Sequence, residues 1–439
     1  MKTPIYDFVK EYKESGLSRF HMPGHKGREL LGVEGFDVTE ISGADVLYDA
    51  SGIIGESENN ATKLFGSRHT FYSAEGSTQC IKAMLALVSK GNEKPLFLAA
   101  RNVHKAFIYG VAMLDGDVKW LLSEGHICNS KITPHDVEEG ILSLDRRPSG
   151  VYITSPDYLG NVLDVRGIAE VCKKYKIPLL VDNAHGAYTA FLKESKHPIA
   201  LGATMCCDSA HKTLPVLTGG AYLHIGNSLD ASFQEVREAL ATFSSTSPSY
   251  LVLESLDLCN KYISEGYYEK LSSCVEKIAK LKKAFAEKGF FDESTEELKI
   301  ALNAKKSGYK GVELNERLHK VGGVAEFFDD DYLVLMLTPE NDERDFLRLY
   351  EFLDLLSPKA PLAETKIFLA EPCQSVSIRR AVFGASEYVC VEEAKGRICA
   401  SPTVSCPPAV PIAVSGEEIT KEHIEAFVYY GIDKISVLK

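Results

Sequence analysis

The segment richest in chemical potential is Asp208-Ser209-Ala210-His211-Lys212-Thr213, which directly follows the apolar run Ala203–Cys207 and precedes Gly219-Gly220. A lysine at a strand end loses part of its hydration, which lowers its pKa and frees the amine to attack an aldehyde. Ser209 and His211 could hydrogen-bond a phosphate beside it. Taken alone, the commoner explanation of Lys212 is a solvated loop residue, since most of the 49 Lys and Arg side chains are surface charges.

Asp182 changes that balance. It ends the apolar run Pro178–Val181, in Asp182-Asn183-Ala184-His185-Gly186. A carboxylate there is costly unless it meets a positive group. The protonated pyridine nitrogen of pyridoxal phosphate (PLP) is such a group, and protonation makes the ring an electron sink. The competing explanation is a helix N-cap. His185 reads equally as a substrate or cofactor contact and as a satisfied core histidine. Glu75-Gly76-Ser77-Thr78 stands just before a helix expected to start near Gln79, and hydroxyls with free N–H groups at a helix N-terminus make an anion cradle. His104, in Arg101-Asn102-Val103-His104-Lys105, follows the apolar run Pro95–Ala100 and could stack on a pyridine ring. Thr246-Ser247-Pro248-Ser249-Tyr250 offers hydroxyls that either cap a helix or reach a phosphate across a subunit boundary.

The elements that must place these residues follow from the alternation of apolar runs with amphipathic stretches. Strands are expected at 95–100, 118–122, 150–155, 178–182, 203–209 and 220–225, with helical periodicity at 81–88 and 168–175. Continuous apolar strands between helices imply a sheet buried on both faces and mainly parallel, whose ligands gather at the carboxyl ends of the strands. The first 40 residues, around His21-Met-Pro-Gly-His-Lys-Gly27, read as a turn-rich arm. Residues 41–250 form a large domain. A mostly helical connector and a small α+β domain fill 251–360, with strands at 298–302, 324–328 and 332–337 and helices at 312–321 and 342–356. Pro358, Pro361 and Pro372 precede a C-terminal domain, 361–439.

Composition narrows the class. The formal charge of −12 argues against nucleic acid, which is bound through basic patches, and favours approach of a cation. Eleven scattered cysteines without a Cys-x-x-Cys pair suggest neither a disulfide framework nor a zinc site, so no metal is expected. No apolar run reaches the ~20 residues of a membrane span, and the start lacks a signal-peptide core, so the cytoplasm is the expected compartment.

Taken in order, the motifs resemble those of the bacterial ornithine/lysine/arginine decarboxylases, PLP enzymes of fold type I. They are Phe20–Gly27, Asp37–Glu40, Gly43–Leu47, Gly76–Thr78, Arg101–Lys105, Asp182–Gly186, Ser209–Lys212, Thr246–Tyr250, Gly308–Gly311, Ala394–Arg397 and Gly416-Glu417. The likeness is to the short form, without an N-terminal receiver-like domain. It implies a PLP-dependent transferase-like α/β large domain with smaller α+β C-terminal domains, and a homodimer or higher homo-oligomer with the active site at the subunit interface. It further implies that Lys212 holds PLP as a Schiff base, Asp182 pairs with the pyridinium, His104 stacks on the ring and Ala184 packs on its other face. Gly76, Ser77, Thr78, Ser209 and His211 would hold the phosphate, Ser247 or Thr246 would serve the neighbouring subunit's cofactor, and His185 would join Lys212 and His104 in catalysis.

The chain departs from the family pattern at Asn183 (usually Glu), Cys80 (usually Gly), Ala210 (usually Ser or Thr) and Cys406–Pro411 (usually Tyr-Pro-Pro-Gly-x-Pro). The reaction implied is decarboxylation of arginine, lysine or ornithine in polyamine-related metabolism, arginine ranking first by analogy. The substrate's cationic end requires an acidic group, for which Asp45 and Glu326 are the candidates. An aminotransferase or carbon–sulfur lyase on the same fold, or a PLP-binding homologue with impaired catalysis, are the alternatives.

Overall fold

In the computed structural model, which describes residues 1–122, 126–363, 373–404 and 409–439, the apolar runs become strands that stop where the polar motifs begin. The first elements are α1 (Pro4–Glu14), α2 (Ile53–Phe65), β1 (His69–Ser73), α3 (Ser77–Ser89), β2 (Leu96–Ala100), α4 (Lys105–Met113), β3 (Asp117–Leu121), α5 (Pro134–Leu142) and β4 (Gly150–Thr154). Next come α6 (Val165–Lys174), β5 (Leu179–Asp182), β6 (Met205–Asp208), the single turn α7 (Ala210–Thr213), β7 (Ala221–Ile225), α8 (Phe233–Thr242), α9 (Tyr250–Ser264) and α10 (Tyr267–Glu287). After them follow β8 (Phe291–Asp292), β9 (Lys299–Asn303), α11 (Gly311–Lys320), β10 (Phe327–Phe328), β11 (Tyr332–Met336) and α12 (Glu343–Asp354). The chain ends with α13 (Ile378–Phe383), β12 (Ser386–Cys390), β13 (Thr403–Val404), β14 (Pro411–Ala413), α14 (Lys421–Tyr429) and β15 (Lys434–Leu438).

Seven strands form one sheet in the order β1-β7-β6-β5-β4-β2-β3. The pairs β5–β6, β2–β4 and β2–β3 are parallel, whereas β7 runs antiparallel to both β1 and β6. Every residue of β2, β5, β6 and β7 is buried, as a sheet covered on both faces requires. The six strands expected from sequence are all present. β1 was not expected: His69-Thr-Phe-Tyr-Ser mixes polar with apolar residues and pairs at the sheet edge.

Two compact units divide the chain, Met1–Gly91 with Val165–Glu269, and Asn92–Asp164 with Lys270–Lys439. In the first, the arm departs from expectation by beginning with a helix. Pro4 sits at the start of α1, where a missing N–H costs nothing, and Ile5 and Val9 are buried one turn apart. Asp257 accepts the backbone N–H groups of Ile5 and Tyr6 at 2.9 and 3.1 Å and so pins the helix start. Residues 15–46 are turns and irregular chain, as read. The expected connector is two helices, α9 and α10, parted near Gly266, whose φ of +85° suits glycine.

In the second unit β8 to β11 make an antiparallel sheet in the order β10-β11-β9-β8. The strand expected at 324–328 shrinks to Phe327–Phe328, and Val324 is 82% exposed. The Gly308–Gly311 motif has a packing explanation, since a Cβ at Gly311 would lie 2.1 Å from the Tyr332 carbonyl oxygen. Arg101 is buried, and its Nη1 and Nη2 donate to the carbonyls of Pro411 and Ile412 at 2.7 and 2.9 Å. Pro372 and Cys406–Pro408 lie outside the described residues. Among the described residues no helix is long and apolar enough to cross a membrane.

Candidate active site

Parallel pairing sets Asp182 of β5 opposite Cys207 of β6, so the residues that end both strands emerge side by side. Asp182 is 2% exposed; its Oδ1 accepts the N–H of Ala184 at 3.2 Å and the thiol of Cys207 at 3.8 Å. After β6, Ser209 caps the turn of helix that carries Lys212. The half-buried Lys212 places Nζ 3.1 Å from Nε2 of His185, which is itself buried. Ser209 Oγ donates to Ser77 Oγ at 2.8 Å, joining this strand end to the first turn of α3.

That helix begins at Ser77 rather than near Gln79. Gly76 is its cap residue, with φ of +69° and no side-chain capping bond, and its N–H donates to the Gly219 carbonyl at 2.7 Å. Gln79 is buried inside the first turn, tied to Ser73, Tyr48 and the Leu240 carbonyl. A helix start without a capping side chain, flanked by Ser77, Thr78 and Ser209, presents N–H groups and hydroxyls to an anion. His211 Nδ1–H donates to the Gly220 carbonyl at 3.0 Å, and burial lowers its pKa from the usual histidine value. Ala184 is 7% exposed, while Cys80 and Ala210 are fully enclosed. A half-buried amine after a strand end, a buried carboxylate and a helix start lined with hydroxyls are groups of the kinds that suit PLP.

The other candidates have local partners of their own. His104 belongs to the second unit and caps α4, its Nδ1 accepting the Ala106 N–H at 3.1 Å. Thr246 and Ser247 are exposed, and the Ser247 N–H donates to Ser245 Oγ at 3.1 Å. The Asp45 carboxylate takes the N–H groups of Val46, Ser51, Gly52, Ile54 and Gly55, which makes it the cap of α2 rather than a receptor for a cation. Glu326 is exposed and accepts the Tyr158 hydroxyl at 2.8 Å.

A second cluster, which no sequence motif marks, lies on the other face of the same strand ends. Asn183 Nδ2 donates to Asp208 Oδ1 at 2.7 Å, and Nε2 of both His197 and His224 lies 3.1 Å from Asp208 Oδ2. All four residues are essentially enclosed. Burial alone would raise the Asp208 carboxyl; the two imidazoles outweigh it and hold the group well below the usual carboxylate range. Residues 197, 208 and 224 have no motif spacing. The one available signal was strand register, which sets His224 opposite Cys206, two residues before Asp208 and on the same face.

Residues 3–345 match the family model described as Orn/Lys/Arg decarboxylase, major domain, and residues 366–432 match Orn/Lys/Arg decarboxylase, C-terminal domain. The uncharacterized protein YaaO of Bacillus subtilis is 29% identical over 455 residues, spanning 97% of this chain and 93% of that one. An arginine decarboxylase of the same organism is 28% identical over 468 residues, spanning 98% and 94%. The crystal structure of the Francisella novicida lysine decarboxylase matches with a TM-score of 0.80 at 17% identity, over 100% of this chain and 81% of its own. A serine palmitoyltransferase of Sphingomonas wittichii matches with a TM-score of 0.57 at 12% identity, over 81% and 83%. The structural likenesses establish the PLP-dependent transferase-like α/β fold of fold type I, and with a family model covering most of its length this chain belongs to the Orn/Lys/Arg decarboxylase family.

Proposed function

We propose that this protein is a PLP-dependent decarboxylase that converts a basic amino acid, arginine before lysine or ornithine, to the corresponding amine and CO₂. The observation that carries the reading is the emergence of Asp182 and Lys212 from neighbouring strand ends beside the start of α3, where Ser77 and Ser209 meet. The family's relatives named arginine decarboxylase support the ranking of substrates.

When bound, PLP supplies a protonated pyridine ring that accepts the electron pair left on Cα as CO₂ departs. Lys212 is the amine that binds the aldehyde, and His185, 3.1 Å from its Nζ, is placed to exchange a proton with it. The Asp182 carboxylate keeps the pyridine nitrogen protonated, and burial strengthens that interaction by excluding water. Gly76, Ser77, Thr78, Ser209 and His211 would hold the phosphate, and His104 and Ala184 would pack against the ring.

The unit at work is a homodimer or larger homo-oligomer in which Ser247 serves the neighbour's cofactor. The arm leaves Phe20, Leu30 and Leu31 at least 86% exposed, apolar surface that a second copy would cover. The domain reading (arm 1–40, PLP-binding 41–250, 251–360, 361–439) and a cytoplasmic location belong to the same proposal.

The test is an amine and CO₂ assay with arginine, lysine and ornithine in the presence of PLP. Borohydride trapping followed by peptide mass spectrometry should locate the cofactor on Lys212, and Lys212→Ala should abolish both trapping and turnover. Keto-acid products would replace the decarboxylase reading with a transaminase, and trapping without turnover of any of the three would replace it with a binding homologue.

A further inference from the structure

Two hydrogen bonds from Asn183 join the end of β5 to the end of β6, the strands that lead to the two proposed cofactor grips. Asn183 follows Asp182, and its backbone N–H donates to the Cys207 carbonyl at 3.0 Å while its side chain donates to Asp208 at 2.7 Å. Asp208 in turn precedes Ser209 and the helical turn that carries Lys212. Side chains alternate across a sheet, so Asp182 and Cys207 face one side and Asn183 and Asp208 the other. Asp208 is itself anchored from two directions: by His224 on β7, whose Nδ1 meets Thr70 Oγ1 at 2.8 Å, and by His197 from the segment leading into β6. The Phe65 ring lies 4.4 Å from the His224 ring, centroid to centroid, and closes the cluster.

We propose that Asp208, held by His197 and His224 and tied to Asn183, is the positioning residue that sets Asp182 and Lys212 in register for the cofactor. This rests on the PLP reading above. A fully buried carboxylate is stable only with strong donors on its oxygens. Three N–H groups supply them here, so the carboxylate cannot shift without stranding a donor. The constraint passes by one peptide bond to Asp182 and by four residues to Lys212. Reacting groups misplaced by about 1 Å lose rate on the order of a hundredfold, so such a clamp has catalytic weight although it touches no reacting atom.

The same atoms are of types that bind zinc, with the donor atoms of His197, Asp208 and His224 within 4.8 Å of one another. A liganding imidazole normally passes its second N–H to an acceptor, and among the described residues His197 Nδ1 has no hydrogen-bond partner. With both Nε2–H groups donating to Asp208 instead, only a bare lone pair is left there, which favours the hydrogen-bonded clamp.

Asn183→Ala, which cuts the tie but leaves the Asp208–histidine bonds, and Asp208→Asn are the informative variants. Three readouts are taken after adding PLP: borohydride trapping at Lys212, the visible circular dichroism per bound PLP, which reports ring orientation, and kcat against KM. Asn183→Ala should fold and trap PLP on Lys212, yet lose at least half of the visible signal and at least tenfold in kcat, with KM within threefold. Asp208→Asn should lose as much or more; if it fails to fold, Asn183→Ala decides. A wild-type visible signal and kcat in Asn183→Ala would overturn the clamp alone. Stoichiometric metal in the wild type, absent from His224→Ala, would overturn it in favour of a metal site. Failure of the wild type to trap PLP would overturn the functional reading and the clamp with it.

Discussion

Glu254 of α9 is 4% exposed, and its Oε1 has no hydrogen-bond partner among the described residues. Burial, with repulsion from Asp37 and Asp257, pushes its pKa up to about 8 from an ordinary 4.5. Below pH 4.5 the group is neutral in both folded and unfolded chains, and the fold carries no penalty. Between 4.5 and about 8 the unfolded chain releases the proton while the folded one keeps it, so stability falls as pH rises; above about 8 the loss is complete. The linkage ceiling is about 5 kcal/mol, and relaxation of the site and water entry bring the expected change to about 2 kcal/mol. Glu254→Gln removes the titration and keeps the shape. Urea unfolding of both proteins from pH 5 to pH 9 should show the variant gaining on the wild type by about 2 kcal/mol across that range, beyond any constant offset from the new amide. Asp257, also raised by burial, titrates in both and cancels to first order. A difference between the two proteins that does not change with pH would refute the reasoning.

Three further outcomes are expected. Arg237 bonds Glu58 and the Leu47 carbonyl at 2.6 Å each and stacks on Phe233, so Arg237→Met should cost about 3–5 kcal/mol by stranding the buried Glu58; Arg237→Met with Glu58→Met should recover most of it, and additive losses in urea unfolding would deny the coupling. A Cβ at Gly76 meets nothing within 4 Å among the described residues, but its φ of +69° with ψ of 179° is a conformation open almost only to glycine, so Gly76→Ala should cost about 1–3 kcal/mol in backbone strain; a loss above about 4 kcal/mol would show that the space is not open. Ser209→Ala removes the donor to Ser77 and should cost about 1 kcal/mol in stability while weakening PLP at least tenfold; unchanged affinity by fluorescence titration would remove Ser209 from the phosphate site.

The proposed grips were legible because buried strands announce themselves as apolar runs and a charge that ends such a run needs a reason. Asp182 and the Asp208–Lys212 segment stand out on that ground, and both lie where the strands stop. Residues whose partners come from afar were not legible. Asp208 draws on positions 183, 197 and 224, and Arg237 on positions 47 and 58; such contacts exist only after strands have paired and helices have docked. The helical start of the arm was hidden by the polar, turn-forming sequence that follows it, although Pro4, Ile5 and Val9 carry the pattern. Asp45 had the right charge for a substrate site, but its five backbone donors are a property of the chain's path.

Arg101 has a practical consequence for anyone dissecting the molecule. Its two terminal nitrogens donate to carbonyls some 310 positions downstream, beyond the end of the major-domain match at residue 345. A fragment stopped at that point would retain every strand of the seven-stranded sheet yet leave the Arg101 guanidinium without those two acceptors. Truncation at the nominal boundary should therefore give insoluble material, and the C-terminal part is better regarded as a keystone than as an appendage.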